Sequence, residues 1–193
     1  MSGIKGSAIE SVVADVNRLV EAGRIARTAL EVRLDAECLA LLEEKIMPAL
    51  WYPVTAWGEL TKLLLEVEGG GDPAYLVERG RRAAARLQAT GIYAQLDGER
   101  ERWGDRLGNV MATIGPALYR DTTWRFETAE PGDPRHFRVL ATVPRAFPDV
   151  GLHPTLGFID YMANEHSKLG VRLVARRLSP TELEFSARPH GAA

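Results

Sequence analysis

The chain has 193 residues, 46% of them apolar and 26% charged, which suits one globular domain with a sizeable core and excludes disordered, collagen-like and low-complexity classes. Its 24 basic and 26 acidic residues leave a formal charge of −2, so no global field favours nucleic acid or anionic lipid. Apolar runs such as Leu63 to Leu65 fall far short of a membrane span, Met1 to Gly6 holds no signal-peptide core, and Cys38 is the single cysteine. A cytoplasmic protein without disulfides or a multi-cysteine metal site is therefore expected.

Apolar Ile9, Val12, Val13, Val16, Leu19 and Val20 recur at three and four, which predicts an amphipathic helix over 7–22 with Ser7 as N-cap and Gly23 past its end. Ala36 to Met47 repeats the pattern behind Asp35 and stops before Pro48. Pro53 fits the first turn of a third helix, whose Trp57, Leu60, Leu64 and Val67 form a stripe ending at Gly69-Gly70-Gly71. Asp72-Pro73 opens a fourth, running to about Gln88. Leu107 to Tyr119 is helical again, with a break expected at Gly115-Pro116.

Beyond this point the period changes. Thr123 to Thr128 and His136 to Phe147 read as strands of a hairpin, His153 to Leu169 as a helix closing on Gly170, and Val171 to Leu178 and Glu182 to Ala187 as a second strand pair. The expected fold is α+β: one domain, 1–193, with a helical layer of four to five helices over 1–120 and a ββαββ antiparallel unit with one crossover helix over 121–190.

Chemistry-bearing patterns are sparse. There is no Gly-x-Ser-x-Gly elbow and no P-loop, and Gly104 to Gly108 follows no strand. His136, His153, His166 and His190 form no helical metal pair; His153 and His166, thirteen apart, are separated by about 19.5 Å along a straight helix. His166 reads as a polar helix-end residue, Cys38 as a small buried hydrophobe, and Asp160 and Glu165, five apart, as solvated charges. Arg79, Arg81, Arg82 and Arg86 lack interleaved aromatics, so a solvated helix face is preferred over a nucleic-acid site.

Trp51 to Trp57 packs two indoles and a phenol into seven residues, suiting a helix seam or a ligand-pocket wall, and Tyr93 poses the same choice. Gly80 and Ala84, four apart, permit close helix approach within the chain or between two copies.

Ile4-Lys5-Gly6-Ser7, Trp51-Tyr52-Pro53, Gly80-Arg81, Thr90-Gly91-Ile92-Tyr93 and Gly157 together resemble a paralogous family of unknown function expanded in myxobacteria, over nearly the whole chain. That family is distantly similar to the vinyl-four-reductase-type, haem–nitric-oxide-binding and TRAPP-subunit superfamily, whose members join a helical layer to a ββαββ unit. The resemblance implies a non-catalytic regulatory module, often dimeric, with a cavity between helices and sheet. The superfamily's Tyr-x-Ser-x-Arg haem-propionate pattern is absent, so no cofactor is expected.

The expectation is thus a non-catalytic module that binds a small apolar ligand, with Trp57, Tyr93, Phe158 and Met162 as wall, or that mediates protein association. The alternative is a scaffold that dimerises through Gly80 and Ala84. A cryptic enzyme lacks any nucleophile–base or metal constellation.

Overall fold

The structure, a computed structural model, describes residues 2–89, 103–128 and 133–189. A short strand β1 (Gly3–Lys5) runs straight into α1 (Gly6–Glu21), whose Ile9, Val12, Val13, Val16 and Leu19 are buried on the expected face. Ser7 is not the cap. Lys5 occupies that place without a side-chain bond, because the Gly6 and Ser7 amides donate to the Leu50 and Pro48 carbonyls at 2.8 and 3.1 Å. The chain segment that accepts them leads into β2 (Trp51–Pro53), paired antiparallel with β1. A further short helix, α2 (Arg27–Arg33), precedes α3 (Ala36–Glu43). Neither the strand pair nor α2 is in the sequence reading, since three to seven residues carry too little period to read.

Asp35 caps α3 as expected, its carboxylate accepting from the Cys38 amide at 2.8 Å. Pro53 is the N-cap of α4 (Val54–Val67) instead of a first-turn residue, and Asp72 accepts from the Ala74 amide at 2.9 Å to open α5 (Ala74–Ala89). The break expected in the next helix is absent: α6 (Trp103–Leu118) runs through Gly115-Pro116. Pro116 falls in its final turn, where the bond its missing amide would make to the Ala112 carbonyl is given up and the helix still continues to Leu118, and at Gly115 a Cβ would lie 2.2 Å from the Trp124 indole nitrogen.

β3 (Thr123–Thr128), β4 (Phe137–Thr142), β5 (Val171–Ser179) and β6 (Glu182–Pro189) form an antiparallel sheet of order β3-β4-β6-β5, with α7 (Leu152–Asp160) crossing between β4 and β5. The expected continuous helix to Leu169 is α7 followed by a π-helical turn, Tyr161–His166. The α+β architecture is thus present, a helical part followed by the ββαββ sheet unit. Register aligns Phe126, Val139, Phe185 and Ala175 across the strands, and Trp124, Ala141 and Leu183 in the next row. Period-two alternation puts these on one face, against the helices. On the other face Glu184, 2% exposed, is held by Arg176 at 2.6 Å.

α7 packs on α5 through two glycines. A Cβ on Gly80 would lie 2.0 Å from the Pro154 carbonyl oxygen, and one on Gly157 would lie 1.9 Å from that of Val77. Ala84 is fully buried. The close approach anticipated from Gly80 and Ala84 is therefore made inside the chain, with Gly80 against α7 and Ala84 buried. No helix of the described residues is long and apolar enough to cross a membrane.

Candidate functional site

Between α1, α4, α5, α6 and α7 lies a cavity of about 870 Å³. Trp124 is the strand residue that closes it, so among the described residues the cavity is helix-walled and does not lie between helical layer and sheet as expected. Its apolar wall is built by helical spacing: Val12 from α1, Trp57 from α4, Leu76 from α5, Ile114 from α6, and Phe158 and Ile159 from α7. Trp57, 4% exposed, anchors an aromatic cluster, with ring centroids 5.8 Å from Tyr119 and 6.2 Å from Phe147; Tyr119 in turn stacks on Trp124 at 6.3 Å.

Of the four wall residues anticipated from sequence, Trp57 and Phe158 line this cavity. Met162 does not: it is 1% exposed, inside the core on the π-helical turn. Tyr93 lies outside the described residues. Cys38 is buried as expected, and burial, with Asp35 adding to it, pushes its thiol up to about 12. Iodoacetamide at about pH 8 is expected to leave the folded protein unmodified and to alkylate it fully in denaturant; rapid labelling of the native state would contradict this environment.

The rim of the cavity is polar; Arg79 and Arg81 depart from the solvated-face reading by pairing with other helices, whereas Arg82 and Arg86 are exposed. Arg79 bridges α5 to α1 through Asp15 at 2.5 Å; Arg18 joins Asp15 at 3.0 Å to Glu68 at 2.9 Å; the Tyr75 hydroxyl donates to Glu68 and accepts from Arg79 at 3.2 Å. These five side chains close a ring of hydrogen bonds linking three helices. Arg81, on the other side of α5, binds Asp160 at 2.7 Å, and Asn164 donates to the same carboxylate at 3.0 Å. Asp160, 9% exposed, is therefore not a solvated charge. His166 meets Gln88 at 2.8 Å, which gives that helix-end residue a partner on α5. No sequence signal marks the ring, because its members are brought together from up to 64 residues apart.

Burial raises the Asp15 carboxyl, but the hydrogen bonds from Arg79 and Arg18 outweigh it and hold Asp15 below its ordinary range; for Glu68, burial is likewise outweighed by Tyr75 and Arg18. A carboxylate depressed in the folded state contributes stability above its unfolded value, lost as pH falls through the folded one. The stability gap between wild type and Asp15→Asn is therefore expected to hold from about pH 7 to pH 5 and to shrink below about pH 4, read from urea midpoints. A gap unchanged down to about pH 3 would show that the ring does not hold Asp15 ionised.

The molecule is thus an α+β domain with a helix-walled, arginine-rimmed cavity. Solved haem–nitric-oxide-binding (H-NOX) domains share this fold. One from K. algicida, in an Fe(II) unliganded form, aligns over 96% of both chains with a TM-score of 0.63 and 15% identity. One from T. Tengcongensis aligns over 96% of this chain and 97% of its own at 0.59 and 11%. An oxygen-binding H-NOX domain related to soluble guanylate cyclases aligns over 96% and 94% at 0.55 and 12%. No protein-family model and no curated protein matches, so the myxobacterial part of the resemblance gains no support, whereas the haem–nitric-oxide-binding part shares the fold.

Haem iron is held in proteins by His, Cys, Met or Tyr. Among the described residues lining the cavity there is no His, Cys or Met. Both tyrosines are engaged: Tyr75 in the ring, and Tyr119, whose buried phenol is raised by desolvation and lies 3.5 Å from Thr155. The described residues of the cavity do not fit a haem iron.

Proposed function

We propose that this chain is a non-catalytic regulatory domain that seats a small, mainly apolar ligand in the helix-walled cavity and works in the cytoplasm. The observation that carries the reading is the cavity itself, about 870 Å³ of space walled by Trp57, Phe158 and Trp124. That volume lies in the range of small-molecule sites, and mostly apolar walls with a few placed polar groups are their usual lining. Sensor folds of the H-NOX kind support a regulatory role by analogy of fold alone. A non-catalytic role is supported by the rim carboxylates, Asp15 and Glu68, which are tied into ion pairs and held ionised instead of poised for proton transfer. The scaffold alternative loses the face it relied on, since Gly80 packs on α7 and Ala84 is fully buried within the chain.

The test is native mass spectrometry of protein purified from expressing cells, followed by denaturing extraction, with titration of the neutral fluorophore phenylnaphthylamine as a second arm. A retained small molecule, or saturable fluorophore binding at one site per chain, is expected. Empty protein that also fails to bind the fluorophore overturns the reading.

A further inference from the structure

The geometry points to a single-chain amphiphile with an anionic head and an oxygen function along its body as the ligand of this cavity, an inference that rests on the cavity-binding reading above. Charge at the rim comes first. Five arginines and two carboxylates line the cavity, leaving an excess of positive charge. The two carboxylates are shared by Arg18, Arg24 and Arg79. Arg82 touches Glu78 at 3.1 Å on the exposed side of α5, and Arg86 has no ion pair among the described residues. Arg82 and Arg86, one helical turn apart on α5 and both exposed, line the same cavity as the small α1 residues Ser7 and Ser11. A guanidinium pair at the lining of a cavity supplies forked donors for an oxyanion.

The second observation lies inside. Thr61 lines the cavity one turn from Trp57, is 2% exposed, and its hydroxyl is the one buried side-chain oxygen or nitrogen of the described residues without a hydrogen-bond partner. Buried hydroxyls are almost always paired, because an unmet one forfeits the hydrogen bond it had to water. Thr61 belongs to the cavity lining, so a turn about its χ1 that brings the hydroxyl to the wall gives it a polar atom of whatever fills the cavity as partner. Arg82 and Arg86 at the edge and Thr61 on the wall therefore define two polar contacts separated by apolar surface, which matches a chain with a charged end and an oxygen further along.

The experiment displaces phenylnaphthylamine with dodecanoate, dodecyl phosphate, the neutral dodecanol, and hydroxydodecanoates with the hydroxyl moved along the chain. One or both anions are expected to bind about tenfold tighter than dodecanol, and this preference is expected to fall towards one in the Arg82→Ala/Arg86→Ala variant, whose exposed side chains leave the core intact. One hydroxydodecanoate is expected to exceed dodecanoate in wild type and to lose that advantage in Thr61→Val, which keeps the side-chain shape. Tightest binding by dodecanol, or a hydroxyl preference that survives in Thr61→Val, overturns the inference while leaving cavity binding in place. Fluorophore binding with no displacement by any amphiphile also overturns it, and failure to bind the fluorophore removes the reading beneath it.

Discussion

Gly157→Ala is expected to lower the melting temperature by roughly 6–12 °C, corresponding to about 3 kcal/mol of overpacking in a chain of this size. The added methyl would sit 1.9 Å from the Val77 carbonyl oxygen, and the obstacle is backbone, which cannot rotate aside like a side chain. α5 and α7 must part. That movement exposes Leu76 and Ile159, both fully buried, and shifts Phe158, the next residue along from Gly157 and a wall of the cavity. Gly80→Ala meets the reciprocal carbonyl of Pro154 at 2.0 Å and is expected to cost a similar amount. The two together are expected to cost less than their sum, because the first substitution already opens the contact the second needs. Thermal unfolding followed by circular dichroism checks all three variants, and a Gly157→Ala midpoint within about 2 °C of wild type would contradict direct helix contact at this point.

Trp57→Ala is expected to cost about 3–5 kcal/mol, read as a lower urea midpoint at unchanged slope. Trp57 joins α4 to the Tyr119 and Phe147 rings, and its edge also reaches Gly151, where a Cβ would come within 2.9 Å of the indole. Truncation removes the contacts shared by these segments and merges new empty space with the cavity. Phenylnaphthylamine affinity is expected to change as well, since the same ring is wall and strut. Trp57→Phe keeps a ring at the site and is expected to cost clearly less than the alanine variant. Equal costs for the two would place the stabilisation in the backbone around Trp57 instead of in its ring.

Legibility followed the range of the interactions. Asp35 and Asp72 were readable as helix starts because each bonds an amide two or three residues away. The sheet strands were readable because one buried face imposes a two-residue period, visible in Phe137, Val139 and Ala141. Ser7 misled for the converse reason: a good local cap was displaced by carbonyls of Leu50 and Pro48, more than forty residues away. Asp160 and Glu165 looked equally solvated in sequence, and only Asp160 meets an arginine, Arg81, from a different helix. At the site, Trp57 and Phe158 were legible as large aromatics on amphipathic helices, whereas Met162 was drawn into the core by the π-helical turn, which alters the face that follows Asp160.

By itself, the sequence determined the helix-rich first half, the ββαββ second half and the buried faces of helices such as α1 and α4, because helical and strand periods and turn chemistry act within a few residues. Tertiary structure decided the rest. It set α7 on α5 through Gly80 and Gly157, closed the ring of Asp15, Arg18, Glu68, Tyr75 and Arg79, and left space beside Thr61. Each of these depends on where one helix lies against another, a distance that no spacing along a single helix records.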